Sequence, residues 1–176
     1  MKKICLVSGL LIISALMALY AVDIAVNQTI TQNFNTIGTS AFATLPTDWK
    51  ADRPTNFRTV GTYSTAGTKT EQIAGNKMPT NATYGIYNFG AGAAGSATDR
   101  AVGGLSSSNV NGKGVNIYVK LTNNGSSDIS SFTISYNVEK YRNGSNPAGF
   151  SIQMYYSNNG TNWTSAGDNF KTSFTA

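Results

Sequence analysis

Histidine is absent from this 176-residue sequence, and cysteine occurs once, as Cys5. A Ser-His-Asp triad and a Cys-His pair each need histidine, and an ordinary zinc site needs several Cys or His ligands, so the sequence excludes those three kinds of centre. Charged residues are also scarce, at 12%. The basic residues form neither a run nor a periodic face, so nucleic acid is not an expected partner.

No segment of useful length has apolar residues at helical spacing. Three stretches instead have apolar residues at every second position. Residues 115–121, 132–138 and 150–156 carry an apolar side chain at every second position. Successive side chains of a strand point to opposite faces, so each stretch predicts a strand with one buried and one wet face. In the first stretch we assign Val115, Ile117, Val119 and Leu121 to the core. Strands of this kind are typical of an antiparallel sheet covered on one side.

The N-terminus predicts export. Lys2 and Lys3 precede an uncharged, mostly apolar run that ends in small residues around Ala18 and Ala21. We therefore assign residues 1–21 to a secretory signal peptide and residues 22–176 to one β-sandwich domain, secreted or at the cell surface, with no membrane contact after cleavage. An uncleaved anchor is the alternative, because the run is long enough to span a bilayer. A domain without cysteine must be held by its core alone.

Further strands are predicted before the alternating stretches. A first strand covers residues 24–34, with Phe34 and Ile37 inward, and a second covers residues 84–89. The paired glycines in residues 99–105 indicate a bulge or a close backbone approach. The Asn-Gly of residues 122–128 predicts a hairpin that joins the strands at 115–121 and 132–140.

The sequence SNNGTNW at residues 157–163 resembles the S-x-D-G-x-x-W hairpin of many extracellular bacterial β-sandwich modules. Four blocks in order, at residues 33–49, 99–105, 129–142 and 155–163, are together similar to a jelly-roll-like module of large secreted or surface-anchored bacterial proteins. The resemblance implies an all-β, antiparallel β-sandwich of concanavalin-like or galactose-binding-like type. Members of that family continue past the equivalent of Phe174 into further strands, so we expect a sandwich that is incomplete at its C-terminal end.

Aromatic residues are the candidates for ligand binding. A sugar ring packs its C–H face on a flat aromatic ring, with polar neighbours supplying hydrogen bonds. The candidate set is Trp49, Tyr118, Tyr141, Tyr155 and Trp163, with Arg142 as a polar neighbour. Tyr118 and Tyr155 are preferred because their neighbours already hold the core positions. For Trp163 the alternative is packing on its own hairpin, and for Trp49 it is closing one end of the core.

Acidic residues offer two weaker candidates. Asp99, Asp128 and Asp168 would supply oxygen ligands to a structural calcium ion, although Asp in loops more often bonds its own backbone. No other cofactor is expected. A glycosidase would need two carboxylates roughly 5 to 10 Å apart. Glu71 and Glu139 are the candidates, and an ion pair is the preferred interpretation of Glu139 beside Lys140 and Arg142.

Three functions follow, in order of preference. The first is a non-enzymatic exported module that binds an extracellular glycan or a surface protein. The second is a structural subunit of a surface layer or filament, in which an open sheet edge pairs with a neighbour by strand addition. The third is a carbohydrate-active enzyme that uses Glu71 or Glu139.

Overall fold

The structure is a computed structural model that describes residues 22–108, 111–144 and 147–175. The predicted signal peptide, residues 1–21, lies outside the described residues. The regular structure of these residues consists of eleven short strands and three single 3₁₀ turns, so the all-β prediction is confirmed. The strands are β1 (Val22–Ile24), β2 (Trp49–Asp52), β3 (Gln72–Ala74), β4 (Gly85–Gly90), β5 (Arg100–Leu105), β6 (Asn116–Val119), β7 (Leu121–Asn123), β8 (Phe150–Gln153), β9 (Tyr155–Tyr156), β10 (Thr164–Ser165) and β11 (Lys171–Phe174).

The described strands form small sheets instead of one broad antiparallel sheet. The largest has the order β3-β4-β5, with β3 parallel and β5 antiparallel to β4. Four two-stranded sheets accompany it: β2 with β6, β8 with β11 and β9 with β10 are antiparallel, and β1 with β7 is parallel. Among the described residues no helix has the length and apolar character needed to cross a bilayer.

Strand β4 is the centre of the core because all six of its residues are buried. Tyr87 and Phe89 point into one cluster, with Ala74 and Met78. Ile86 points the other way, into a second cluster with Leu45 and Ala51. Alternating side chains of one strand therefore supply two separate apolar layers, as the period of a strand requires.

The paired glycines lie in β5, where they permit close approach. A Cβ atom at Gly103 would lie 2.9 Å from the ring of Phe89, and one at Gly104 would lie 2.4 Å from the Cβ of Val115. The pairing of β4 with β5 is regular from Gly85 opposite Leu105 to Gly90 opposite Arg100. The close-approach interpretation is thus confirmed, and the bulge is not found.

Several strand predictions are wrong. The first strand is confined to β1, and residues 27–34 are not in a strand. The predicted hairpin does not form: β6 pairs with β2, β7 pairs with β1, and residues 128–144 contain no strand, turn or bend. The phase in β6 is reversed, because Tyr118 is buried while Ile117 is 39% exposed. The Tyr118 hydroxyl has internal partners that make its burial favourable, as described below.

Candidate functional site

Tyr118, a preferred binding candidate, belongs to an internal aromatic cluster with Tyr63 and Trp163. The Tyr118 side chain is only 4% exposed. Its hydroxyl donates to Asp52 Oδ2 at 2.8 Å and accepts from the Gly61 N–H at 2.9 Å. Burial, reinforced by the bond to Asp52, raises the pKa of the Tyr118 hydroxyl well above its ordinary value of 10.0. The expectation that Tyr118 presents its ring to a ligand is therefore wrong, because both ring and hydroxyl are engaged inside the protein.

Trp163 is anchored to segments that are far away in the sequence. Its indole N–H donates to the Gly61 carbonyl at 2.7 Å, and its ring lies 5.3 Å from that of Tyr118. The backbone carbonyl of Gly160 in the same hairpin accepts from the Tyr63 N–H at 2.8 Å. These contacts attach the β9–β10 hairpin to the segment that follows β2.

Tyr141 is likewise turned inward. Its ring stacks on Phe89 with centroids 4.5 Å apart, and its hydroxyl donates to Glu139. Burial and then the Glu139 carboxylate raise the pKa of Tyr141 far above 10.0. The neighbouring Arg142 has a buried Nε that lacks a hydrogen-bond partner. Tyr155 is half-buried opposite Ser165 in the β9–β10 hairpin. The six predicted binding residues thus do not form one surface.

The predicted calcium ligands are not brought together. Asp99 directly precedes β5, Asp128 lies in the loop after β7, and Asp168 begins the 3₁₀ turn before β11. Within residues 22–108, 111–144 and 147–175, no three side chains of His, Cys, Asp or Glu cluster as a metal site would require.

The two predicted catalytic glutamates are occupied by internal partners. Glu71 forms an ion pair with Arg53 at 2.8 Å and accepts from the Ile86 N–H at 3.0 Å. Glu139 accepts from Tyr141. In the described part of the chain Glu139 forms no ion pair with Lys140 or Arg142, so that interpretation of Glu139 is wrong. Lys140 donates instead to the Thr175 carbonyl at 2.8 Å.

A cleft of about 410 Å³ lies at the start of β2, and sequence reasoning identified only Trp49 among its polar or aromatic residues. Asp48 adopts a left-handed backbone with φ of 64°. That conformation is fixed because the Asp48 carbonyl accepts from both the Lys120 N–H and the Tyr63 hydroxyl, each at 3.1 Å. The lining residues are Thr44, Leu45, Pro46, Thr47, Asp48, Trp49, Lys50, Tyr63 and Thr68.

Two hydrogen-bonding groups of this cleft have no partner among the described residues. Asp48 Oδ2 is buried and makes no hydrogen bond there. The indole N–H of Trp49 also makes none within the described part of the chain. The Trp49 ring contacts Phe34 edge-on at 4.8 Å and packs against the core cluster of Leu45, Ala51 and Ile86, in agreement with the core-packing alternative. Lys50 is engaged, since its Nζ donates to the Ser64 carbonyl at 3.1 Å and lies 4.6 Å from the centre of the Tyr63 ring. Burial, and then the charge of Asp48, raise the pKa of Tyr63.

A second feature is an unpaired segment, residues 129–140. None of its residues has a positive φ, and its backbone makes no hydrogen bond with another described segment. Phe132, Ile134 and Tyr136, at alternate positions, are 64%, 37% and 44% exposed. The Tyr136 hydroxyl donates to the Phe170 carbonyl at 3.1 Å, and Lys140 reaches Thr175. The segment therefore follows β11 in the same direction, held by side chains.

Comparison of the chain with known protein families, with characterised proteins and with solved structures finds no match. The resemblance to the jelly-roll-like module therefore stays a prediction carried by its four sequence blocks.

Proposed function

We propose that this chain is an exported, non-enzymatic β-sandwich module that binds other polypeptide chains by strand addition, as a subunit of a surface layer or filament. The observation that supports the proposal is the unpaired segment beside the β8–β11 ribbon. An extended stretch with alternating apolar side chains is a strand in every respect except that it lacks a partner.

The ribbon has the properties of an acceptor. Its two strands pair with each other and with no other described strand, so each keeps one edge without a strand ladder, and beside β11 the unpaired segment is held only by the Tyr136 and Lys140 side chains. Phe150 and Ile152 in β8 are 42% and 40% exposed. Open edges with apolar side chains are the usual template for pairing with another chain. Added strands would extend the ribbon into the second layer of a sandwich.

The partner that fits best is a second copy of the same chain. Each copy carries both a candidate donor, the unpaired segment, and a candidate acceptor, the ribbon. Donor and acceptor are different surfaces, so the contact is head-to-tail, and repeated head-to-tail contacts produce open filaments unless the rotation closes a ring. Binding to a different surface protein would use the same edges, and it is the other outcome of the test below.

A proline substitution separates the monomer from the assembly. Thr133→Pro removes an N–H that has no backbone partner in the described structure, so the monomer should keep its stability. A strand ladder, however, does not tolerate the missing donor. We expect the purified exported chain to form concentration-dependent assemblies in analytical ultracentrifugation, and the Thr133→Pro variant to stay monomeric at every concentration.

The control is Phe57→Ser, which changes an exposed aromatic residue outside the unpaired segment. Phe57 is 61% exposed, like Phe132, but lies in the N-terminal part of the chain. This variant should assemble as the parent does. A parent chain that remains monomeric across the concentration range, and binds no isolated peptide of residues 129–140, would contradict the proposal; peptide binding without assembly would favour a different surface protein as partner.

A further inference from the structure

We infer that the cleft at the start of β2 binds an uncharged sugar ring, with Trp49 as the stacking platform and Asp48 as the acceptor for the sugar hydroxyls. This site is separate from the unpaired segment, and the inference does not depend on assembly by strand addition. Three properties of the cleft point to this class of ligand.

The first property is an unused acceptor on a residue with a left-handed backbone. Buried polar atoms are nearly always hydrogen-bonded, so a donor from a ligand would satisfy Asp48 Oδ2. Asp48 keeps a positive φ, which Asp and Asn adopt more readily than other residues with a side chain and which the surrounding structure must support. Here the two hydrogen bonds to the Asp48 carbonyl provide that support.

The second property is a flat ring with an unused donor. The indole N–H of the other tryptophan, Trp163, donates to the Gly61 carbonyl. Trp49 makes no such bond within the described residues. It lines the cleft, while its ring also packs against the core cluster of Leu45, Ala51 and Ile86 and meets Phe34 edge-on. An indole that offers both an apolar face and an N–H matches a pyranose, which presents a C–H face and hydroxyls that donate and accept.

The third property concerns size and charge. About 410 Å³ lies at the lower end of the range of about 300 to 1,000 Å³ that is usual for small-molecule sites, and is suited to one or two sugar rings. Asp48 and Lys50 carry opposite charges, so the cleft has no excess charge to attract an anion or a cation. Lys50 Nζ already donates to the Ser64 carbonyl and lies over the Tyr63 ring, so we assign it to the wall of the cleft and not to the ligand contacts.

The experiment titrates the exported chain with neutral methyl pyranosides (glucoside, galactoside, mannoside and N-acetylglucosaminide) at millimolar concentrations, observed by ligand-detected NMR and by amide shifts of residues 44–50. We expect at least one to bind, with amide shifts confined to the cleft. Asp48→Asn should weaken binding at least tenfold; asparagine tolerates the positive φ, so the fold is kept. Trp49→Phe keeps an aromatic face but loses the N–H, and should weaken binding about threefold to tenfold, as expected for one hydrogen bond.

The control variants lie outside the cleft. Tyr156→Ala removes an aromatic ring that is 57% exposed on another strand, and it should leave sugar binding unchanged. Thr133→Pro should bind sugar like the parent even though it abolishes assembly. The result for sugar binding is therefore independent of the result for assembly. The inference is overturned if none of the four pyranosides shifts the amides of residues 44–50, or if the sugar that binds is indifferent to both cleft substitutions.

Discussion

The two ends of the chain have a similar supply of apolar residues and use them in opposite ways. Every described residue that is buried lies at or before Tyr118, whereas residues 119–144 and 147–175 contain none. The C-terminal part nevertheless carries Phe132, Ile134, Phe150 and Ile152, all substantially exposed. A core therefore depends less on apolar content than on having a second layer within reach. In the N-terminal part β4 has sheet partners on both edges and apolar clusters on both faces, and the β8–β11 ribbon has neither.

The N-terminal core also tolerates a buried cation, which shows how completely it is packed. Arg100 is 3% exposed and has no acidic partner among its hydrogen bonds. Its Nε donates to Asn88 Oδ1 at 2.8 Å, and its guanidinium also reaches the carbonyls of Asn88 and Ala94, each at 3.0 Å. Asn88 in turn donates to the carbonyls of Gly38 and Ser40 at 2.9 Å. Burial lowers the pKa of Arg100.

The largest expected effect comes from removing this guanidinium. Arg100→Leu removes the donor to the buried Asn88 Oδ1 and the guanidinium bonds to the carbonyls of Asn88 and Ala94, and a buried group left unsatisfied costs about 1–3 kcal/mol. We expect the free energy of unfolding in urea to fall by about 3 kcal/mol or more. Arg100→Lys is the matched variant: it keeps the charge but not the planar fork, and should recover only part of the loss. Full stability of Arg100→Leu would show that this network is not what holds the N-terminal part together.

A smaller effect is expected at Tyr118, whose hydroxyl joins β6 to β2 and to the segment after β2. Tyr118→Phe leaves Asp52 Oδ2 and the Gly61 N–H without this hydroxyl, which should cost about 1–3 kcal/mol in urea unfolding.

The same substitution should change the pH dependence of stability. The folded pKa of Tyr118 is raised, so its contribution is complete below pH 10.0 and is lost as the pH rises above that value, where the unfolded chain releases the proton first. The free energy of unfolding of Tyr118→Phe should therefore fall less steeply between pH 10.0 and pH 11 than that of the parent. An identical slope would mean that the pKa of this hydroxyl does not change on folding.

The smallest effect is expected in the unpaired segment. Ile134→Ala should change monomer stability by less than about 0.5 kcal/mol, because the side chain is exposed and its backbone is unpaired. The matched Ile86→Ala in β4 should cost about 2–4 kcal/mol. Urea unfolding of both variants at concentrations below assembly measures the contrast directly. Equal losses at the two isoleucines would remove the distinction between the two ends of the chain.

The sequence predicted the strands that carry local signals. Strand β4 follows from its aromatic alternation, and the close approach in β5 follows from Gly103 and Gly104. The phase of β6 was not predictable by hydropathy alone, because Ile117 and Tyr118 are both large and apolar enough to be core residues. The choice depended on Asp52 and Gly61, which are distant in sequence and supply partners for the tyrosine hydroxyl.

The remaining failures also concern partners that lie far away along the chain. Residues 132–138 have the pattern of a strand, yet a pattern specifies only which side chains share a face and not whether another strand lies alongside. The Asp48 cleft had no signature either. Only Trp49 drew attention, since neither the positive φ of Asp48 nor the proximity of Lys50 to Tyr63 can be recognised from residue type or spacing.

The way Arg100 is bound has a consequence for the effect of dissolved salt. The attraction between a cation and a carboxylate weakens as ionic strength rises, because counterions screen the two charges. Arg100 is buried and is held by carbonyl and amide dipoles, so there is no charged pair for dissolved ions to screen. The contribution of this network to stability should therefore be the same in fresh water and in brine.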